Sequence, residues 1–135
     1  MLTRALANAG EMHLGNLEPR RDLTFVEDTA QAFLLAGEAL GIEGETIHVG
    51  QGKAVSMTEL ARQCLEVVGG HARILSVAER QRPEKREVRL LVCDASKARR
   101  LLGWTPDVWL DEGLRRTADY VQGHLEQYRA EDYVV

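Results

Sequence analysis

Two arginines stand where they could grip an anion. Arg21 opens the stretch Arg21-Asp22-Leu23-Thr24-Phe25-Val26-Glu27-Asp28-Thr29-Ala30, in which β-favouring residues run into an acidic helix start. A guanidinium presents a rigid fork of donors that fits phosphate oxygens, and a helix start offers free backbone N–H groups. That geometry suits a nucleotide. It equally describes a strand-to-helix turn with Arg21 in a surface ion pair, and the stretch alone does not separate the two. Arg82 lies in Glu79-Arg80-Gln81-Arg82-Pro83-Glu84-Lys85-Arg86-Glu87-Val88, where the proline stiffens the loop and lowers the ordering cost of presenting the side chain. Two arginine-bearing loops can clamp a pyrophosphate, although an alternating charge run is also what a solvated surface looks like.

Other chemistry is harder to assemble. Gly50-Gln51-Gly52-Lys53 has the look of a phosphate loop, but a Walker-type loop would need glycine at Ile47 and Ser or Thr at Ala54. The dinucleotide fingerprint would need a third glycine at Val55, so a structural turn is expected. His13, His48, His71 and His124 show no metal-ligand spacing with each other or with the cysteines. His48 in a strand suits a hydrogen-bonded structural role better than catalysis, since no partner is in evidence. Ser56 and Ser96 look like helix-start residues, and Cys64 falls on a core face, where a cysteine is a small hydrophobe. No catalytic or metal-binding residue is assigned.

The elements that must position these residues follow from period and punctuation. Met1 to Ala7 opens inside a helix without a capping residue ahead of it, and His13 to Asn16 is a short strand or loop. Leu23 to Val26 should be a strand. Asp28 with Gln31 resembles a capping box, and Ala30, Phe33, Leu34, Gly37 and Leu40 recur on one helical face up to Gly41. Glu45 to Val49 is a strand by its β-branched residues. Ser56-Met57-Thr58-Glu59 is a capping box for a helix carrying Leu60, Ala61, Cys64, Val67 and Val68. Ala72 to Val77 reads as a strand, Glu79 to Glu87 as an exposed loop, and Val88 to Cys93 as extended chain. Asp94 caps a short helix stopped by Gly103, and Leu110, Leu114, Ala118, Val121 and Leu125 mark a long final helix. The tail from Tyr128 should fray.

Strands alternating with helices give the α/β class, with short strands and about four or five helices in a single domain over residues 1–135. A net charge of −4 argues against a nucleic-acid backbone binder. No apolar run is long enough to cross a membrane, and the first residues lack a signal-peptide core. Unpatterned Cys64 and Cys93 fit a reducing compartment, hence the cytoplasm.

From about Leu14 to Tyr120 the chain resembles the C-terminal portion of the extended short-chain dehydrogenase/reductases, the NAD-dependent nucleotide-sugar epimerases and dehydratases. The matches are Leu14-Gly15-Asn16, the Arg21 to Thr29 stretch, Ile47-His48-Val49-Gly50-Gln51-Gly52, Arg82-Pro83 with Glu87-Val88, and Asp94-Ala95-Ser96-Lys97-Ala98 through Leu102-Gly103-Trp104-Thr105-Pro106. Members of the GDP-mannose 4,6-dehydratase type look most similar. The resemblance implies a nucleotide-diphosphate sugar as ligand, with Arg21 and Arg82 on the diphosphate and Asn16 and Glu87 as further substrate-binding residues.

It also implies what is not in this sequence. Complete members carry an N-terminal Rossmann half with a glycine-rich NAD loop, and a catalytic tyrosine four residues before a lysine. Tyr120, Tyr128 and Tyr133 have no lysine at that spacing. NAD is therefore expected only in a complete member, and this chain should be silent by itself, as a truncated or separately expressed binding portion. His48 stands where asparagine is common in the family, and Arg86 where serine is common. The rival reading is an interaction module that self-associates as a homo-oligomer or pairs with a separate Rossmann-type partner. Completion of an active site in trans is a third.

Overall fold

The computed structural model describes residues 1–7, 10–78 and 87–128. Its elements run α1 (Leu2–Leu6), β1 (Glu11–Leu14), β2 (Arg20–Asp22), α2 (Val26–Glu38), β3 (Ala54–Ser56), α3 (Met57–Val67), β4 (Arg73–Ser76), β5 (Leu90–Leu91), α4 (Ser96–Leu102) and α5 (Leu110–Gln122), then a short 3-10 turn (Leu125–Gln127). The class is α/β, with short strands and, among the described residues, five α-helices. The chain forms two compact units, one of residues 1–19, 56–88 and 111–135, the other of 20–55 and 89–110.

In the first unit β1 and β4 pair in parallel, Met12 beside Ile74 and Leu14 beside Ser76. Ala5 of α1, Met12 of β1, and Ala61 and Leu65 of α3 form its core, with Leu14, Val68, Ala72 and Ile74 packed around them. The α3 start is the expected one: Ser56 Oγ accepts the Glu59 N–H at 3.1 Å. The reciprocal half of the box is replaced, because the Glu59 carboxylate takes Gln63 Nε2 instead. Cys64 is buried, as its place on the apolar face predicts. In α5, Leu114, Ala118 and Val121 bury on the anticipated stripe.

In the second unit β2 is the central strand of the order β3-β2-β5. β2 and β5 are parallel, Arg20 opposite Leu90 and Arg21 opposite Leu91. The core is Ala32 of α2, Ala98 of α4 and Trp104, joined by Leu35, Ile47, Val49, Ala95 and Leu102. Gly103 ends α4 at φ 64°, the left-handed conformation that glycine enters without penalty.

Five expectations need correction. The strand expected over Leu23 to Val26 lies earlier, at Arg20–Asp22, and α2 already starts at Val26. Asp28 does not cap α2: Phe25 is the N-cap residue with no side-chain bond, and the Asp28 carboxylate accepts the N–H groups of Asp107 and Val108. Asp94 lies one residue before the α4 N-cap, Ala95, and accepts the Ser96 N–H at 2.9 Å. Glu45 to Val49 belongs to no paired strand among the described residues. The face of α2 chosen from its period is also the exposed one, since Ala32 and not Phe33 or Leu34 enters the core. The exposed loop expected at Glu79 to Glu87 falls on residues outside the description except for Glu87, as does the tail beyond Tyr128.

Candidate functional site

Asp22 organises the second unit. It ends β2, and its two carboxylate oxygens collect three backbone N–H groups from two distant segments. Oδ1 accepts from Gln51 at 3.0 Å, and Oδ2 accepts from Gly52 at 2.9 Å and Cys93 at 3.0 Å. Hydrogen bonds to a charged acceptor are the strong kind, so this carboxylate fixes the turn after Val49 against the chain leaving β5. Gly50 makes the approach possible. A Cβ there would lie 2.3 Å from Cys93 Cβ and 3.0 Å from Asp22 Oδ2, so only glycine fits between them.

The same geometry explains why this glycine turn cradles no phosphate. Its Gln51 and Gly52 N–H groups already face a carboxylate. Gln51 is tied further, its Nε2 donating to the Val108 carbonyl at 2.8 Å. A dinucleotide-binding turn needs free N–H groups, and at Gln51 and Gly52 they are taken.

Beside the clasp lies a cleft of about 470 Å³ lined by Asp22, Thr24, His48, Gly50, Cys93 and Asp94 together with Val49, Leu91 and Val92. Among the described residues its lining holds two carboxylates, Asp22 and Asp94, and no lysine or arginine. Burial chiefly, with Asp22 and Asp94 adding to it, pushes the Cys93 thiol above its ordinary pKa, so it is a weak nucleophile at neutral pH. Asp94 is held below the usual aspartate range by the Ser96 N–H it accepts. Among the described residues no group of three or more His, Cys, Asp or Glu is arranged to hold a metal ion, and no helix is long and apolar enough to cross a membrane.

The arginine and its companions are distributed as follows. Arg21 is half-buried on β2, its Nη1 donating to the Arg20 carbonyl at 2.9 Å, and it does not line the cleft. Neighbouring Arg20 donates to the Ala54 carbonyl at 3.0 Å. Asn16 belongs to the first unit, where its Oδ1 accepts the Glu18 N–H at 3.1 Å and turns the chain toward Pro19. Glu87, half-buried, is also in the first unit, and Arg82 lies outside the described residues. Sequence reasoning passed over Asp22 and Gly50. Their only local signal was an aspartate beside Arg21 and a glycine directly after a β-branched run.

Comparison with known proteins places these features in context. Residues 1–117 match the family described as GDP-mannose 4,6 dehydratase. A UDP-glucuronate 4-epimerase of Thermodesulfobacterium geofontis is 30% identical over 107 residues, covering 78% of this chain and 31% of that protein. The crystal structure of a UDP-glucose 4-epimerase with UDP-glucose from Thermotoga maritima superposes at a TM-score of 0.76 with 31% identity, covering 92% of this chain and 38% of that one. An epimerase of Methanothermobacter thermautotrophicus superposes at a TM-score of 0.84 with 27% identity, over 96% and 38% of the two chains. The chain thus spans about a third of the length of the relatives it matches.

Proposed function

The chain belongs to the GDP-mannose 4,6-dehydratase family, among the extended short-chain dehydrogenase/reductases, and on that premise we propose that it is the nucleotide-diphosphate-sugar-binding portion of an NAD-dependent epimerase or dehydratase. It works in the cytoplasm and does not catalyse alone. The observation that carries this reading is the superposition of nine-tenths of the chain on part of an epimerase solved with UDP-glucose. Arg21, fixed by its strand register between β3 and β5, and Arg82 supply the diphosphate contacts; Asn16 and Glu87 complete the substrate set. NAD, when bound in a complete member, supplies the hydride acceptor; this chain contributes the grip on the substrate.

Calorimetric titration of the chain with GDP-, UDP- and dTDP-sugars tests the assignment. Weak binding is expected, reduced in Arg21→Ala by the loss of a charge-assisted contact of about 1.5–3 kcal/mol, a factor of roughly ten to a hundred. No heat even at millimolar ligand would overturn it.

A second reading is favoured by the exposed apolar face of α2, on which Phe33 is 75% and Leu34 70% exposed. In that reading the chain is an interaction module that self-associates or pairs with a Rossmann-type partner.

A further inference from the structure

Arg21 stands on a very short piece of sheet. β2 has three residues and β5 two, and Arg21 is in the last of their two paired positions. So short a ladder fixes its own register weakly, yet a slip by one residue would turn the Arg21 side chain to the other face of the sheet. On the near side of Arg21 the ladder is closed by the Arg20 N–H, which donates to the Arg89 carbonyl at 2.8 Å. On the far side a continued parallel ladder would bring the Cys93 N–H to the main-chain carbonyl of Asp22, since a residue in such a ladder bonds the two neighbours of the one it faces. The side chain takes that place instead. Cys93, which belongs to no strand, donates to Asp22 Oδ2 at 3.0 Å. Arg21 is therefore bracketed by two bonds, and the one to the carboxylate is of the stronger kind.

The same carboxylate works on the other flank of β2, where β3 lies. Gln51 and Gly52, in the turn that leads into β3, donate to it at 3.0 and 2.9 Å. Gln51 is anchored in turn, its Nε2 donating to the Val108 carbonyl at 2.8 Å. One side chain thus pins both neighbours of β2 immediately beyond Arg21. The guanidinium is turned back on its own strand, donating to the Arg20 carbonyl at 2.9 Å, so its place follows that of the strand. Successive strand side chains point to opposite faces, which sets the carboxylate away from the face that Arg21 serves.

Resting on the reading of Arg21 as a diphosphate contact, we propose that Asp22 is the positioning residue of that contact. Its carboxylate sets the register of β2 between β3 and β5, and thereby the face on which the Arg21 guanidinium is presented. Asp22 is not itself a ligand contact. A negative charge next to a phosphate-binding arginine would by itself weaken the site, and here it is taken up by three backbone N–H groups.

The test uses the full chain, ¹⁵N-labelled, with UDP-glucose as the probe and NMR shifts to follow weak binding. In the unaltered chain the Cys93 amide should resist hydrogen exchange to within about threefold of the Leu91 amide. Exchange at Cys93 as fast as in an open loop would overturn the proposal before any substitution is made. Asp22→Asn keeps the size of the side chain and withdraws one acceptor oxygen. It should speed exchange at Arg21 and Leu91 by at least about tenfold, move the Arg21 Nε–H resonance, and weaken UDP-glucose binding by about tenfold. In an Arg21→Ala background the same substitution should cost no further affinity, because a residue that acts through Arg21 is non-additive with it. If Asp22→Asn loses the fold, Asp22→Glu, which keeps the charge and lengthens the side chain, gives the same comparison with smaller losses. Additive losses, or an unmoved Arg21 resonance with unchanged affinity, would overturn the positioning role. Failure of the unaltered chain to bind UDP-glucose would instead overturn the reading of Arg21, and the exchange rates and the Arg21 resonance would still decide whether Asp22 sets its place.

Discussion

Replacing Gly50 by alanine would put a methyl carbon 2.3 Å from the Cβ of Cys93 and 2.9 Å from its sulfur. Carbon atoms in contact settle at about 3.5–4.0 Å, so one segment must move by more than 1 Å, roughly. Neither is free to do so. Asp22 ties Gln51 and Gly52 on one side and Cys93 on the other, and displacement lengthens at least one of those bonds. Overpacking costs about 1–3 kcal/mol and a lost bond to a charged acceptor about 1.5–3 kcal/mol, so a total near 3–5 kcal/mol is expected. Trp104 is buried in the same unit, and its fluorescence reports that unit's unfolding in urea. With a slope of about 1–3 kcal/mol per molar urea the midpoint should fall by about 2 M. Gly52→Ala is the control: Gly52 has φ 75°, yet its nearest foreign atom would be 3.8 Å away, so only the left-handed backbone is strained, at about 1–2 kcal/mol. Adding Cys93→Gly to Gly50→Ala removes the clashing Cβ and should restore at least half of the loss. A Gly50→Ala midpoint equal to that of the unaltered chain, or a larger loss in Gly52→Ala, would refute the reasoning.

Asp28→Ala should destabilise the second unit by about 3 kcal/mol, because it leaves the N–H groups of Asp107 and Val108 without their acceptor, and Asp28→Asn should fall in between; urea midpoints decide. Because the Ser96 N–H lowers the pKa of Asp94 in the folded chain, its contribution is present above the ordinary aspartate value of about 3.9 and is lost only as pH falls through the lower folded value. An NMR titration of Asp94 with a midpoint at or above the ordinary value would contradict this. Burial raises both thiols, with Asp22 and Asp94 adding to the shift at Cys93, so disulfide-exchange labelling at mildly alkaline pH should be slower than for free cysteine. Asp94→Asn should speed labelling at Cys93, and Cys64 should react only on unfolding.

Local signals were legible wherever the physics is local. A cap reaches three residues, so Ser56 and its Glu59 N–H could be read directly, and the left-handed stop at Gly103 follows from glycine itself. Helical period located α2, α3, α4 and α5, and the combination of motifs disclosed the α/β class and the family. Period does not say what covers a stripe. The residues Ala30, Phe33, Leu34 and Gly37 were a sound argument for a helix and misleading about its buried side, because the Trp104 core lies under Ala32 and Leu35. The strand at Glu45 to Val49 needed a neighbour to become one, and none among the described residues pairs with it.

The sequence by itself thus determined the helices, the Ser56 cap, the Gly103 stop and the family, since each is written in residues a few positions apart. Tertiary structure alone decided the work of Asp22, Asp28 and Gly50. The partners of Asp22 lie 29, 30 and 71 residues away, those of Asp28 79 and 80. A carboxylate beside an arginine or at a helix start has an obvious local use in isolation. Only when β5 has paired with β2 do distant N–H groups arrive at the same oxygens, and the space left between Asp22 and Cys93 admits no side chain at position 50.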